Sequence, residues 1–179
     1  MKKFGILAIS IVLSIVVFLF YMGTFSQVTF KEQEKGPYTF AYADHIGPYH
    51  EVGKVMTDLD KKMRDLGFNS TDGLGIYYDD PQKVSKEKLR SKVGSIITAG
   101  DMDKIDANRD KLKFKTIEKK NYLVSEFPIK NMLSYMLGPI KIYPAFAKYL
   151  KEKKIAVPDK GMELYDMTNK KIIFMMALE

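Results

Sequence analysis

The sequence predicts an α+β protein in which two β-α-β-β modules share one antiparallel sheet and follow one transmembrane helix. Two observations support this fold class: an uncharged segment of 19 residues at positions 4–22, and two similar stretches at 47–79 and 138–166. Each stretch begins with Gly-Pro, continues with helical spacing of apolar residues and ends on Tyr-Asp. We interpret them as an internal repeat. A pseudo-twofold axis would then relate the modules, and their two main helices would flank a central groove.

Residues 4–22 have the length and composition of a membrane-spanning helix, which needs ~20 apolar residues. Lys2 and Lys3 precede the segment, and this basic flank favours a cytoplasmic N-terminus. We therefore expect a signal-anchor and a single-pass membrane protein whose domain is extracytoplasmic. The alternative is a cleaved secretory signal, but its apolar core usually has only ~7–15 residues. The expected division is 1–25 as anchor, 26–37 as a polar tether and 38–179 as one domain.

The composition excludes several classes of function. The chain has no cysteine, so disulfides, thiolate chemistry and cysteine lipidation are absent. Its formal net charge is +7, carried mostly by lysine rather than arginine. Arginine makes most bidentate contacts to phosphates and bases, so we expect no nucleic-acid partner. A lysine-rich surface is compatible with anionic lipid.

The first module reads as β-α-β-β. Residues 38–43 alternate large and small side chains like a strand, and Gly47-Pro48 ends it. From Tyr49 to Leu66 the apolar residues recur at helical spacing, and Gly67 is a natural stop. Two strands are then predicted at 74–78 and 92–99.

The second module repeats this order. Residues 112–127 are strand-like, residues 132–149 are mostly helical, and residues 161–178 form a terminal hairpin. Proline is best tolerated in the first turn of a helix. We therefore expect Pro144 near the start of the main helical segment, with residues 138–143 as a lead-in.

Four motifs resemble those of one protein superfamily. They are Asp44-His45-Ile46-Gly47-Pro48-Tyr49, Gly75-Ile76-Tyr77-Tyr78-Asp79-Asp80-Pro81, Leu89-Arg90 followed by Val93-Gly94, and Met162-Glu163-Leu164-Tyr165. Their spacing over residues 38–178 is similar to that of the GyrI-like small-molecule-binding superfamily. This group includes gyrase-inhibitory protein, effector-binding domains of multidrug-responsive activators and SOUL-type proteins. The resemblance implies a pair of β-α-β-β modules, and the N-terminal segment resembles a membrane-anchored branch.

The resemblance also implies a site around Glu163, because family members have a carboxylate at this strand position at the bottom of an aromatic pocket. Strand alternation puts Glu163 and Tyr165 on one face, and the repeat alignment places Ile76 and Tyr78 on the opposite wall. We expect the ligand-binding residues to be Glu163, Tyr165, Tyr78, Ile76, Tyr49, Tyr143 and Phe146. Aromatic rings around a carboxylate suit flat or cationic organic ligands, and burial would raise the pKa of Glu163.

We expect no metal and no cofactor. His45 and His50 flank the first glycine turn, but no Cys/His spacing typical of zinc or haem sites accompanies them. The segment Asp79-Asp80-Pro81 is typical of a turn.

Three functions therefore remain open. The first is a membrane-tethered binding domain for a small hydrophobic or cationic organic ligand, held in an aromatic pocket over Glu163. The second, implied by the resemblance, is a hydrolase of electrophilic small molecules with Glu163 and Tyr165 as catalytic residues. The third is a membrane-anchored protein-interaction module with an unidentified partner. We expect binding rather than turnover.

Overall fold

The computed structural model describes residues 2–70 and 72–178. Within these residues the α-helices are α1 Lys2–Tyr21, α2 Val52–Asp65 and α3 Ser134–Lys153. The strands are β1 Lys31–Lys35, β2 Tyr38–Ile46, β3 Gly73–Tyr77, β4 Arg90–Ile96, β5 Lys113–Ile117, β6 Lys120–Pro128, β7 Gly161–Asp166 and β8 Lys171–Ala177. Short 3-10 turns, such as Tyr49–Glu51 before α2, fill several connections.

All eight strands form one antiparallel sheet in the order β1-β6-β8-β7-β3-β4-β2-β5. The predicted fold class is confirmed. One module is β2-α2-β3-β4, the other is β6-α3-β7-β8, and they meet where β3 pairs with β7 at the centre of the sheet. The strand order is symmetric about this pair, with β5 and β1 as outer strands. The sequence repeat itself stays a prediction.

The sheet curls so strongly that one of its faces encloses a hydrophobic core. Phe40 of β2 and Tyr122 of β6 belong to the same buried cluster, although four strands separate β2 from β6. On the other face, α2 packs against β4 and β2, whereas α3 packs against β6 and β8. The central strands β3 and β7 therefore lie between the two helices, at the position where the sequence predicts a groove.

The segment predicted as a polar tether contains a strand. Lys31–Lys35 pairs with β6 from Lys31 opposite Val124 to Lys35 opposite Lys120. Just before it, the ring of Phe30 lies 4.8 Å from those of Phe146 and Tyr149. The polar sequence Lys-Glu-Gln-Glu-Lys gave no strand signal, because an edge strand is held by backbone hydrogen bonds and its side chains remain in solvent. The sheet thus includes residues that precede position 38.

Helix α3 begins ten residues earlier than Pro144, at Ser134, and continues through Pro139 and Pro144 to Lys153. The predicted lead-in at 138–143 is therefore wrong. An internal proline removes a helical hydrogen bond and crowds the preceding turn. The buried row Ser134, Gly138, Ile142, Phe146 and Leu150 recurs every four residues along α3, and packing of this row against the sheet maintains the helix despite both prolines.

Candidate functional site

Glu163 lies in the middle of β7, on the face of the sheet that bears the helices. Its side chain is almost completely buried, with 4% of the residue exposed. One carboxylate oxygen, Oε1, accepts a hydrogen bond of 2.9 Å from the hydroxyl of Tyr143 on α3. The other, Oε2, accepts one of 2.8 Å from the hydroxyl of Tyr165. The structure thus brings together three of the predicted site residues.

A third tyrosine extends this hydrogen-bond network. The hydroxyl of Tyr77 on β3 lies 2.6 Å from that of Tyr165. A tyrosine hydroxyl has one hydrogen to donate, and that of Tyr165 points to Glu163, so Tyr77 donates to Tyr165. Two hydroxyls therefore contact the carboxylate directly, and the third stabilises one of the donors.

Glycines provide the space for these rings. In the β3–β7 pair, Gly75 is opposite Glu163, Gly73 is opposite Tyr165 and Gly161 is opposite Tyr77. A Cβ atom at Gly75 would lie 2.8 Å from the ring of Tyr77, and one at Gly161 would lie 2.9 Å from the ring of Tyr143. Larger residues at these positions would displace the tyrosine rings from the backbone that they cover.

The placement of Ile76 and Tyr78 in the site was wrong. Ile76 is opposite Met162 and lies in the core enclosed by the curled sheet, and Tyr78 packs against the same core. The cause is a shift of one residue in the repeat alignment, because neighbouring strand residues point to opposite faces. The matching pattern is Gly-x-Gly-x-Tyr in β3 and Gly-x-Glu-x-Tyr in β7. This pattern would have identified Tyr77, the residue that the sequence reasoning missed.

Tyr49 and Phe146 lie farther from the carboxylate. The ring of Tyr49 packs edge-on against Tyr77 at a centroid distance of 4.9 Å, and its hydroxyl lies 3.0 Å from the carbonyl oxygen of Asp79. Tyr49 therefore supports Tyr77. Phe146 is fully buried between α3 and the sheet, in the cluster that includes Tyr165. Its observed role is packing.

Among the described residues, only neutral groups stabilise the charge of Glu163. Burial raises its pKa from 4.5 to about 7, and the hydrogen bonds from Tyr165 and Tyr143 oppose this rise. Burial also raises the pKa of Tyr77, Tyr143 and Tyr165 well above the ordinary value, so these hydroxyls stay protonated donors near neutral pH. The ion pairs formed among residues 2–70 and 72–178 do not include Glu163.

This arrangement can hold a positive charge or exchange a proton near neutral pH. It has too few ligands for a metal. In the described part of the chain, no group of three or more His, Cys, Asp and Glu side chains is placed to bind a metal ion.

The fold agrees with comparisons to known proteins. The family model for the GyrI-like small molecule binding domain matches residues 26–131. This match covers more than half of the chain, and the chain therefore belongs to the GyrI-like family.

Testis-expressed protein 264 of Homo sapiens is 30% identical over 137 residues, which are 71% of this chain and 41% of that protein. The chain thus spans less than half the length of this relative. Among solved structures, the C-terminal domain of EcmrR matches with a TM-score of 0.59 at 10% identity, covering 85% of this chain and 98% of that domain. SAV2435 bound to tetraphenylphosphonium matches with a TM-score of 0.55 at 12% identity, covering 84% and 94%. At such identities the likeness shows the fold.

Replacement of Glu163 by glutamine is expected to stabilise the ligand-free protein at high pH. The folded-state pKa of Glu163 is raised to about 7, so its contribution to the free energy of unfolding is complete below the ordinary value near 4.5 and is lost as the pH rises through 7. Glutamine mimics the neutral acid at every pH. The free energy of unfolding of Glu163→Gln should exceed that of the wild type by up to about 3 kcal/mol at pH 8 and differ little from it at pH 4.5.

Denaturant unfolding of the full chain in detergent at the two pH values measures this difference. Glu126→Gln is the matched control, because Glu126 is exposed on β6 and pairs with Lys171. A Glu163→Gln variant that is less stable than the wild type at pH 8 would contradict the account.

Proposed function

We propose that the protein is a membrane-tethered binding domain for a lipophilic organic cation, with Glu163 as the counter-charge. The observation that carries this proposal is the buried carboxylate, which is hydrogen-bonded to Tyr143 and Tyr165 and has no ion pair among the described residues.

The energetics of the site favour a cationic ligand. A buried carboxylate without a cation is costly, and the raised pKa of Glu163 reflects this cost. A ligand cation would supply the missing charge, and the faces of Tyr77, Tyr143 and Tyr165 would add cation–π attraction. When it is buried, an organic cation whose charge is spread over an apolar body loses less hydration free energy than a small ammonium group does. The site should therefore prefer lipophilic cations to metal ions or lysine-like amines.

A ligand can reach the carboxylate only if a side chain moves, because Glu163 is buried. Tyr77 and Tyr165 are held on the central strands and are hydrogen-bonded to each other. Tyr143 belongs to α3, is partly exposed and covers Gly161. We infer that Tyr143 is the ring that the ligand displaces, and the ligand then takes over the contact with Oε1.

Likeness to a relative supports the choice of probe. SAV2435, which shares this fold, was solved bound to tetraphenylphosphonium, a cation whose charge is enclosed by phenyl rings. We propose the same class of ligand, lipophilic cations, for this chain. The carboxylate of Glu163 and the tyrosines around it support this choice.

The hydrolase alternative rests on a separate observation. A carboxyl group with a pKa of about 7 can donate or accept a proton at neutral pH, and the hydroxyl of Tyr165 lies 2.8 Å away. These two groups could assist attack of water on an electrophile. Turnover of an electrophilic substrate that disappears in Glu163→Gln would favour the enzyme over the binding protein.

We also propose that α1 spans a membrane. Its segment Phe4–Tyr21 has a mean hydropathy of 2.7, and the other described residues do not cover it. The lysines at positions 2 and 3 favour a domain outside the cytoplasm.

Alkaline washing of membranes should leave the full-length chain in the pellet. A soluble mature form that begins near Ser26 would contradict the anchor.

Tetraphenylphosphonium should bind the full chain in detergent with micromolar affinity, and Glu163→Gln should weaken this binding at least about tenfold, or ~1.4 kcal/mol. The reason is loss of the counter-charge without loss of shape. Isothermal titration calorimetry at pH 8 measures the affinity, with neutral triphenylphosphine oxide as the uncharged comparison ligand.

Glu126→Gln is again the matched control and should bind the cation like the wild type. Because Glu163→Gln is expected to be the more stable protein, weaker binding could not be attributed to unfolding. Equal affinity of wild type and Glu163→Gln for the cation would refute Glu163 as the counter-charge.

A further inference from the structure

We propose that the N-terminal half of α3 lies on the bilayer that contains α1, with one apolar surface immersed among the lipid headgroups. This lipid-facing patch consists of Met132, Leu133, Met136 and Ile140. The inference rests on the proposed membrane anchor, and it adds a second contact between the protein and lipid.

The lipid-facing patch is exposed to a degree that large apolar side chains rarely show together. Met132 is 81% exposed, Met136 is 55% exposed and Ile140 is 64% exposed. Met136 and Ile140 are four residues apart and lie along one side of the helix, and Met132 precedes Met136 by four residues in the turn just before α3. The other side of α3 is already packed on the sheet through Gly138 and Ile142. The patch is therefore a second apolar surface of a helix whose core-facing surface is satisfied.

The patch lies beside the point where the chain leaves α1. Lys130, just before the patch, has its ammonium 5.1 Å from the centre of the Tyr21 ring. The amide of Asn131 contacts the sulfur of Met22 at 3.5 Å, and Met22 is fully buried.

Lys141, just after the patch, donates to the Ser26 hydroxyl at 2.6 Å and to the Gly23 carbonyl. Contacts on both sides of the patch thus fix it next to the membrane end of α1. A bilayer that contains α1 extends to this surface.

The charges around the patch fit a lipid surface. Residues 127–151 contain four lysines and no acidic residue. Lysines that flank an apolar helical surface are typical of helices that lie in the membrane interface, where their ammonium groups reach the phosphates. The continuity of the patch with α1 favours lipid over a soluble protein as its occupant.

This placement has a consequence for the Glu163 site. On the side of α3 that faces the sheet, Tyr143 contacts Glu163, and the ring of Tyr135 lies 5.8 Å from that of Tyr165. Tyr143 follows Ile140 by three residues along α3, so the tyrosine network lies next to the immersed part of the helix. A lipophilic cation dissolved in the bilayer would meet this helix first.

The absence of cysteine from the chain allows site-specific labels to test the proposal. Met136→Cys, carrying the environment-sensitive fluorophore NBD, is placed in the full chain in vesicles of phosphatidylcholine and phosphatidylglycerol. Val12→Cys reports on α1. Gln82→Cys is the exposed control, because Gln82 lies in the β3–β4 connection at one end of the central strands. The start of α3 lies at the opposite end of these strands, where the backbone N–H of Ile129 donates to the carbonyl oxygen of Lys170.

Interfacial helices place their apolar side ~5–10 Å into the headgroup region, so lipids brominated high on their chains should quench the label at position 136 at least about twofold more than the label at position 82. The label at position 12 should also be quenched by lipids brominated deeper. Emission from position 136 that is quenched no more than emission from position 82 would overturn the proposal while leaving the anchor intact, provided that position 12 is quenched.

An unquenched label at position 12 would overturn the anchor and this inference together. Blue-shifted emission from position 136 that brominated lipid does not quench would mean that protein, such as a second copy of the chain, covers the patch, and it would also overturn the proposal. Binding of tetraphenylphosphonium to the same labelled proteins is measured separately. Loss of the Glu163 function and loss of the lipid contact are thereby distinguished.

Discussion

The antiparallel pairing of β3 with β7 is the constraint on which the rest of the site depends. It joins the two modules at the centre of the sheet and places Gly75 opposite Glu163, with Gly161 opposite Tyr77. Glycine at these positions lets tyrosine rings lie against the backbone. The helices pack on the two halves of the sheet that flank this pair, so α3 can bring Tyr143 to the carboxylate. The same pairing therefore makes the core continuous and leaves room for a polar network between the helices.

That network reduces the stability of the ligand-free protein at high pH. Two hydroxyls stabilise the carboxylate of Glu163, but burial outweighs them and raises its pKa to about 7. An apolar or neutral residue at this position would stabilise the empty fold better at high pH. A buried carboxylate that has no charged partner among the described residues is what we expect of a residue that binds a ligand.

The sequence predicted the α+β fold class, the two β-α-β-β modules and the shared face of Glu163 and Tyr165, because periodicity and turn residues are local signals. It missed Tyr77 because a shift of one residue in an alignment reverses the face of a strand. It also missed the strand at Lys31–Lys35, whose side chains carry no pattern, and the passage of α3 through Pro144. These features depend on pairing and packing with distant parts of the chain, which local patterns do not contain.

The central claim is that Glu163 is a buried acid stabilised by neutral donors and ready to accept a cation. Its most direct test is a titration of the side-chain carboxyl carbon by NMR, with ¹³C-labelled glutamate and Glu163→Gln for assignment. The account predicts a transition near pH 7 for the ligand-free protein, and a shift to lower pH with tetraphenylphosphonium because the cation favours the charged form. A transition near the ordinary value of 4.5, unchanged by the cation, would contradict it.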